Sequence, residues 1–186
     1  MPPVRLLGLA GSLRKASVNR ALLRAIGEVL PDDASLTIYD RMGDLPHFNS
    51  DLKDDPEPVT HWKQAIASAD GLIIATPEFN YSVPGVMKNA IDWATRPPAT
   101  SPLRRKPIGV VGASVGISGS MRAQYHLRQI FVYTDSPVLG QPEVIIPRSH
   151  ERFDAAGNLT DESTRELLRA FGVAFVAWVR RFAPHV

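Results

Sequence analysis

The chain alternates short apolar runs with longer stretches whose apolar positions recur at helical spacing. Val4 to Ala10 reads as a buried strand, bounded by Pro3 and Gly11. Val18, Leu22, Ala25, Ile26, Val29 and Leu30 then mark one face of a helix, with Ser17 in place to cap it. Pro31, Asp32 and Asp33 stop that helix. Leu36 to Tyr39 is a short second strand, and Arg41 to Pro58 is a polar loop rich in Pro and Asp. Val59 to Ala69 predicts a helix, and Gly71 to Thr76 a fully buried strand. Val86 to Ala94 is helical until Pro97 and Pro98 end it. Ile108 to Ala113 is a fourth strand and Met121 to Tyr133 a fourth helix. Val138 to Ile146 contains a fifth strand, interrupted by Pro142. Thr160, Asp161 and Glu162 open a long last helix, whose apolar face includes Leu167, Leu168, Phe171, Phe175 and Val179.

Strand and helix thus alternate about five times, which predicts an α/β fold with a parallel sheet and helices on both faces. With 186 residues, no internal repeat and no long linker, one domain over 1–186 is expected. Composition adds exclusions. At 44% apolar and 22% charged, the chain is not of a disordered class. No apolar run approaches the ~18 residues of a membrane span. The start, Met-Pro-Pro-Val-Arg, lacks a secretory leader pattern, so a soluble cytoplasmic protein is expected. There is no cysteine, which excludes thiol catalysis, disulfides and Cys-held metals. Any redox chemistry therefore rests on a bound cofactor.

Charge and histidines narrow the partners further. The 21 basic and 19 acidic residues give +2. The basic residues are scattered, and their one cluster, Arg104, Arg105 and Lys106, lies in a Pro-rich loop. Nucleic acid is thus not an expected partner. His47, His61, His126, His150 and His185 share no metal-ligand spacing, and no metal site is expected. Asp54, Asp55 and Glu57 read as a solvated loop.

In an open parallel sheet, ligands sit beyond the carboxyl ends of the strands. Three strand-to-helix loops there are unusual. The first, Gly11 to Arg20, combines a turn-permitting glycine, the side chains of Ser12, Ser17 and Asn19, and the charges of Arg14 and Lys15. Free amides at the helix start complete an anion site, with phosphate its usual occupant. An ordinary capped helix would look similar. It is neither a Walker loop nor a dinucleotide fingerprint, because the required glycines are missing. The second, Pro77 to Gly85, alternates Phe79 and Tyr81 with Glu78, Asn80 and Ser82 between stiffening prolines. It suits a flat heterocycle, and equally a turn whose aromatics fill the core. The third, Gly112 to Gly119, carries three glycines and Ser114, and gains its meaning from position on the same edge.

Taken together, Gly11 to Asn19 (Gly-Ser-Leu-Arg-Lys-Ala-Ser-Val-Asn) and Thr76 to Trp93 (Thr-Pro-Glu-Phe-Asn-Tyr-Ser-Val-Pro-Gly-Val-Met-Lys-Asn-Ala-Ile-Asp-Trp) resemble the NADPH-dependent FMN reductase family. Gln124 to Gln129 and Gln141 to Glu143 resemble its bacterial chromate and quinone reductase branch. The resemblance spans about Val4 to Pro147. It implies a flavodoxin-like, doubly wound five-stranded sheet in the order 2-1-3-4-5, with FMN between strands one and three. It implies that Ser12, Arg14, Ser17 and Asn19, in one loop with Leu13 and Val18, hold the FMN phosphate. It implies that Pro77, Glu78, Phe79, Asn80 and Tyr81 lie along the isoalloxazine ring, with Ser114 reaching it from the third loop. Phe79 departs from the family's usual Tyr and loses a hydroxyl.

The activity implied is hydride transfer from NADPH or NADH to FMN, then reduction of quinone, azo, chromate or flavin acceptors on the same face. No catalytic acid or base is assigned, because hydride transfer needs none. The resemblance also implies a homodimer or homotetramer. Trp93, Tyr125 and Phe131 are candidate interface anchors, and Arg122, Tyr125 and Glu143 a candidate polar contact between subunits. Two other readings are an electron-carrier flavodoxin and a flavin-binding module without turnover. The mild basicity speaks against the first, and the intact loops against the second.

Overall fold

The computed structural model describes residues 2–182; Met1, where the leader reading begins, and His185 lie outside them. Five parallel strands form one sheet: β1 (Val4–Ala10), β2 (Ala34–Tyr39), β3 (Gly71–Ala75), β4 (Ile108–Ala113) and β5 (Val144–Ile146). Their order is β2-β1-β3-β4-β5. The helices are α1 (Val18–Val29), α2 (Glu57–Ser68), α3 (Gly85–Ala94), α4 (Met121–Val132) and α5 (Glu162–Phe182). The chain steps from β1 to β2, then returns across β1 to β3, so its direction reverses between β1 and β3. That reversal opens the crevice in which such sheets bind ligands.

Side chains alternate between the two faces of the sheet with period two. Leu6, Ile73, Ala75, Val111 and Ala113 face α1 and α5, where they meet Leu22, Ile26, Leu168, Phe171 and Phe175. Leu7, Leu9, Leu72, Ile74 and Val110 face the other way, toward Val59, Trp62, Met87, Ile91, Leu127 and Phe131. Burial on both faces explains why β1, β3 and β4 read as near-continuous apolar runs.

Two sequence expectations change. The fifth strand shrinks to three residues after Pro142. Before it, Val138 makes one isolated bridge to Ile108. A proline has no N–H for a ladder, so pairing resumes only beyond it. The polar loop 41–58 is also more ordered than its composition implies. Its Met42 and Leu45 are buried in the second core layer. Phe48 packs edge-on against Trp93 with ring centroids 5.0 Å apart. The Trp93 indole donates to the Pro46 carbonyl at 2.8 Å, and Asn89 donates to the same oxygen. That loop thereby buttresses α3 behind the second candidate loop. Among the described residues no helix is long and apolar enough to cross a membrane.

The last helix opens where the sequence predicts, beside Asp161. The Asp161 carboxylate accepts from the Ser163 hydroxyl, the Thr164 hydroxyl and the Thr164 amide, and pairs with Arg152. These donors hold its pKa well below the usual aspartate range, with the Ser163 and Thr164 hydroxyls the largest causes. A carboxyl so depressed contributes stability above its unfolded pKa of about 3.9 and loses it as the pH falls further. Asp161→Ala should therefore lower Tm at neutral pH, with the gap to wild type narrowing below about pH 4. A gap that stays constant across that range contradicts the assignment.

Candidate functional site

The three candidate loops leave β1, β3 and β4 at the same edge of the sheet. β1 and β3 end in register, Ala10 beside Ala75, and the Gly11 amide donates to the Ala75 carbonyl at 2.8 Å. A Cβ at Gly11 would stand 2.9 Å from the Pro77 ring, so only glycine lets the first two loops abut. A Cβ at Gly112 would stand 2.0 Å from Ser120 Oγ and 2.5 Å from the Thr76 carbonyl, which packs the third loop as closely.

In the first loop, Ser17 caps α1, its hydroxyl accepting from Arg20 N at 3.4 Å. The amides of Ser12, Leu13, Lys15, Ala16, Val18 and Asn19 have no protein acceptor among the described residues. Ser12 Oγ accepts from Arg14 N at 3.4 Å. Arg14 and Lys15 are exposed and lack a carboxylate partner among the described residues. Free amides at the positive end of the α1 dipole, with an unpaired guanidinium beside them, make a seat for a dianion.

Asn19 has a different part from the one the resemblance implies for its side chain. It is 1% exposed. Its Nδ2 donates to the Ala113 carbonyl and its Oδ1 accepts from the Ala113 amide, each at 2.9 Å. The physical reason is in the ladder. Pairing of β3 with β4 ends at Ala75 and Val111, leaving Ala113 without a strand neighbour on that side. The Asn19 amide group takes that place and ties the first loop to the third. Only its backbone N–H remains for an anion.

The second loop is a tight hairpin. Phe79 and Ser82 exchange both backbone hydrogen bonds, at 3.1 and 3.0 Å. Asn80 and Tyr81 take φ of 50° and 62°. Two successive left-handed residues define the primed turn that a two-residue hairpin needs. The amides of Glu78, Asn80 and Tyr81 have no protein acceptor among the described residues. Phe79 and Tyr81 are exposed rather than filling the core. Leu13 in the first loop, and Val115 and Ile117 in the third, are exposed as well. The edge is thus a line of free amides with an apolar rim. In the third loop Ser114 Oγ accepts from Gly116 N at 3.1 Å, and its backbone bonds Ile146 and Ser149.

Several expected placements are corrected. Arg122 pairs with Glu78 of its own chain and stacks over Tyr81, with its side chain still partly exposed. Trp93 and Phe131 are buried in the second core layer, leaving only Tyr125 exposed among the three candidate anchors. The Arg104 to Lys106 run precedes β4 and sits at the opposite, amino-terminal edge. There Lys106 Nζ donates to the Ala69 carbonyl, and burial holds its pKa below the usual lysine range. That run cannot meet a ligand at the carboxyl edge. The Glu78 carboxylate, which carries much of the local architecture, was missed, because its partners lie 40 or more residues away. No group of three His, Cys, Asp or Glu residues within the described chain is placed to hold a metal.

A parallel sheet in this order, with an anion seat and a flat apolar-rimmed edge at its switch point, defines a flavodoxin-like flavoenzyme class. A model of the NADPH-dependent FMN reductase family matches residues 4–151, and the chain belongs to that family. It is 44% identical over 180 residues to an NAD(P)H-dependent FMN reductase of Pseudomonas aeruginosa, covering 96% of each chain. It is 44% identical over 173 residues to a 2-hydroxy-1,4-benzoquinone reductase of a Burkholderia species, covering 92% of this chain and 94% of that one. Among solved structures it superposes on FerB, a flavoenzyme NAD(P)H:(acceptor) oxidoreductase of Paracoccus denitrificans. The TM-score is 0.88 at 37% identity, over 96% of this chain and 98% of that one. The chain is an oxidoreductase of this family, whose cofactors are FMN and NAD(P)H. Its residues fit FMN: the free amides with Arg14 suit a phosphate, and the apolar-rimmed hairpin suits a planar ring.

The Asn19 clasp makes a quantitative expectation. Asn19→Ala leaves the buried Ala113 N–H and carbonyl unpaired, at a cost of about 1–3 kcal/mol for each such group. Urea unfolding should show that loss, together with weaker FMN retention. An unchanged midpoint would show that Asn19 does not hold the two loops together.

Proposed function

We propose that this protein reduces quinones with electrons from NADPH or NADH, donor and acceptor taking turns on one exposed face. The observation that carries this reading is the convergence of three loops, rich in unpaired amides, on the switch point of the sheet. Bound FMN supplies the hydride acceptance and the electron release. The chain supplies binding and orientation.

Ser12, Arg14 and Ser17, with the amides of Leu13, Val18 and Asn19, hold the phosphate. Arg14 contributes a charge-assisted hydrogen bond to it. The backbone from Pro77 to Tyr81 runs along the ring, with the amides of Glu78, Asn80 and Tyr81 as donors to its polar edge. Donors there favour the electron-rich reduced form. Ser114 closes the third side. Phe79 supplies an apolar wall without the hydroxyl usual in the family. No side chain is assigned an acid or base role.

Quinones are the acceptors we favour, because a relative this similar over nearly the whole chain is named for benzoquinone reduction. Chromate, azo compounds and free flavin would meet the same face. The acting form in this reading is a homodimer or homotetramer, with exposed Tyr125 on α4 as an anchor.

Two measurements test it. Initial rates with NADPH and benzoquinone varied together should give parallel double-reciprocal lines. Intersecting lines would mean both substrates are bound at once. Arg14→Ala should weaken FMN binding roughly ten- to a hundredfold, the equivalent of about 1.5–3 kcal/mol for one hydrogen bond to a charged group. An unaltered dissociation constant places the phosphate elsewhere.

A further inference from the structure

The Glu78 side chain has a role that its backbone position does not explain. Its carboxylate is 6% exposed. One oxygen accepts from the amides of Arg122 at 2.9 Å and Ala123 at 3.4 Å. The other accepts from Arg122 Nε at 2.7 Å and Ser118 Oγ at 3.5 Å, and also meets Arg122 Nη2. Three elements therefore converge on one carboxylate: the second loop that carries it, the third loop through Ser118, and α4.

Helix α4 has need of it. Ser120, the residue before its first turn, sits at φ 72° and makes no side-chain cap. Its hydroxyl accepts from Gln124 Nε2 instead, at 3.3 Å. The Met121 amide turns back to the Ser118 carbonyl, but those of Arg122 and Ala123 are left to an acceptor from elsewhere, and a carboxylate at the positive end of a helix dipole is the favoured one. The same carboxylate aims Arg122. Its guanidinium then lies over the Tyr81 ring, 3.9 Å from the centroid. Tyr81 is one of the two left-handed residues of the hairpin. A tyrosine there is strained, and a cation held over its ring opposes that strain.

We propose that the Glu78 side chain is a positioning residue for the flavin, acting through Arg122 to hold the Asn80–Tyr81 turn in place. It also sets the charge beside the ring edge. This assignment rests on the reading of the second loop as the flavin-edge loop. The pair makes opposite electrostatic contributions. Removing the carboxylate charge leaves Arg122 and the α4 dipole uncompensated, which favours added electrons on the flavin. Removing the guanidinium leaves the carboxylate and disfavours them.

The test compares Glu78→Gln with Arg122→Ala, using added FMN. For Glu78→Gln, the FMN dissociation constant should rise about tenfold, as for loss of a charge-assisted contact. The midpoint potential of the bound flavin should move in the positive direction. For Arg122→Ala, which removes a partly exposed group and leaves α4 capped, the potential should move in the negative direction. In the flavin-free protein, amide exchange at Arg122 and Ala123 should accelerate in Glu78→Gln only. Unchanged potentials, or shifts of the same sign, overturn the proposal even where stability falls. Wild-type protein that binds no FMN overturns the functional reading itself, and this assignment with it, whatever the exchange data show.

Discussion

The close backbone approach of three loops at one sheet edge is the constraint on which the rest of the structure depends. Gly11 and Gly112 permit it, since a Cβ at either would collide with Pro77, or with Ser120 and Thr76. Asn19 then bridges from α1 to the end of β4, where the ladder has no further strand to offer. Glu78 does the corresponding work between the second loop and α4. The first bridge is a neutral amide within the core and the second an ion pair at its border. Each satisfies backbone groups that would otherwise be buried without partners.

This arrangement separates holding from reacting. The side chains that tie the loops together, Asn19 and Glu78, are committed to the protein itself. The groups left unpaired are main-chain amides and the exposed Arg14, which are what an anionic cofactor with a polar ring edge requires. With no cysteine in the chain, electrons have no protein thiol to pass through.

Much of the fold was legible because its signal is local. Val4 to Ala10 and Gly71 to Ala75 are apolar at nearly every position, as strands covered on both faces must be. The Ser17 cap and the start of the last helix at Asp161 were legible for the same reason. What escaped were pairings between residues far apart in the chain. Asn19 was read as a ligand because its partner, Ala113, lies 94 residues away. The pairing of Arg122 with Glu78, 44 residues away, went unread for the same reason. Trp93 and Phe131 looked like interface anchors because an aromatic on a helix does not state which face it occupies. Pro142 marked the break in the last strand but not that only a single bridge, at Val138, would precede it. For the candidate site, the three loops leave the same sheet edge as read from the sequence, while the Asn19 side chain is tied to Ala113 and the Glu78 carboxylate has a structural part that the sequence did not indicate.

The central claim is that one face at this edge receives electrons from a nicotinamide and delivers them to a quinone in separate events. Anaerobic mixing of the FMN-loaded protein with NADPH, without acceptor, tests it most directly. The visible flavin absorbance should bleach at a catalytically competent rate, and after removal of the nicotinamide it should return on adding benzoquinone alone. Bleaching that requires the quinone to be present, or recovery that requires the nicotinamide to remain bound, would contradict the account.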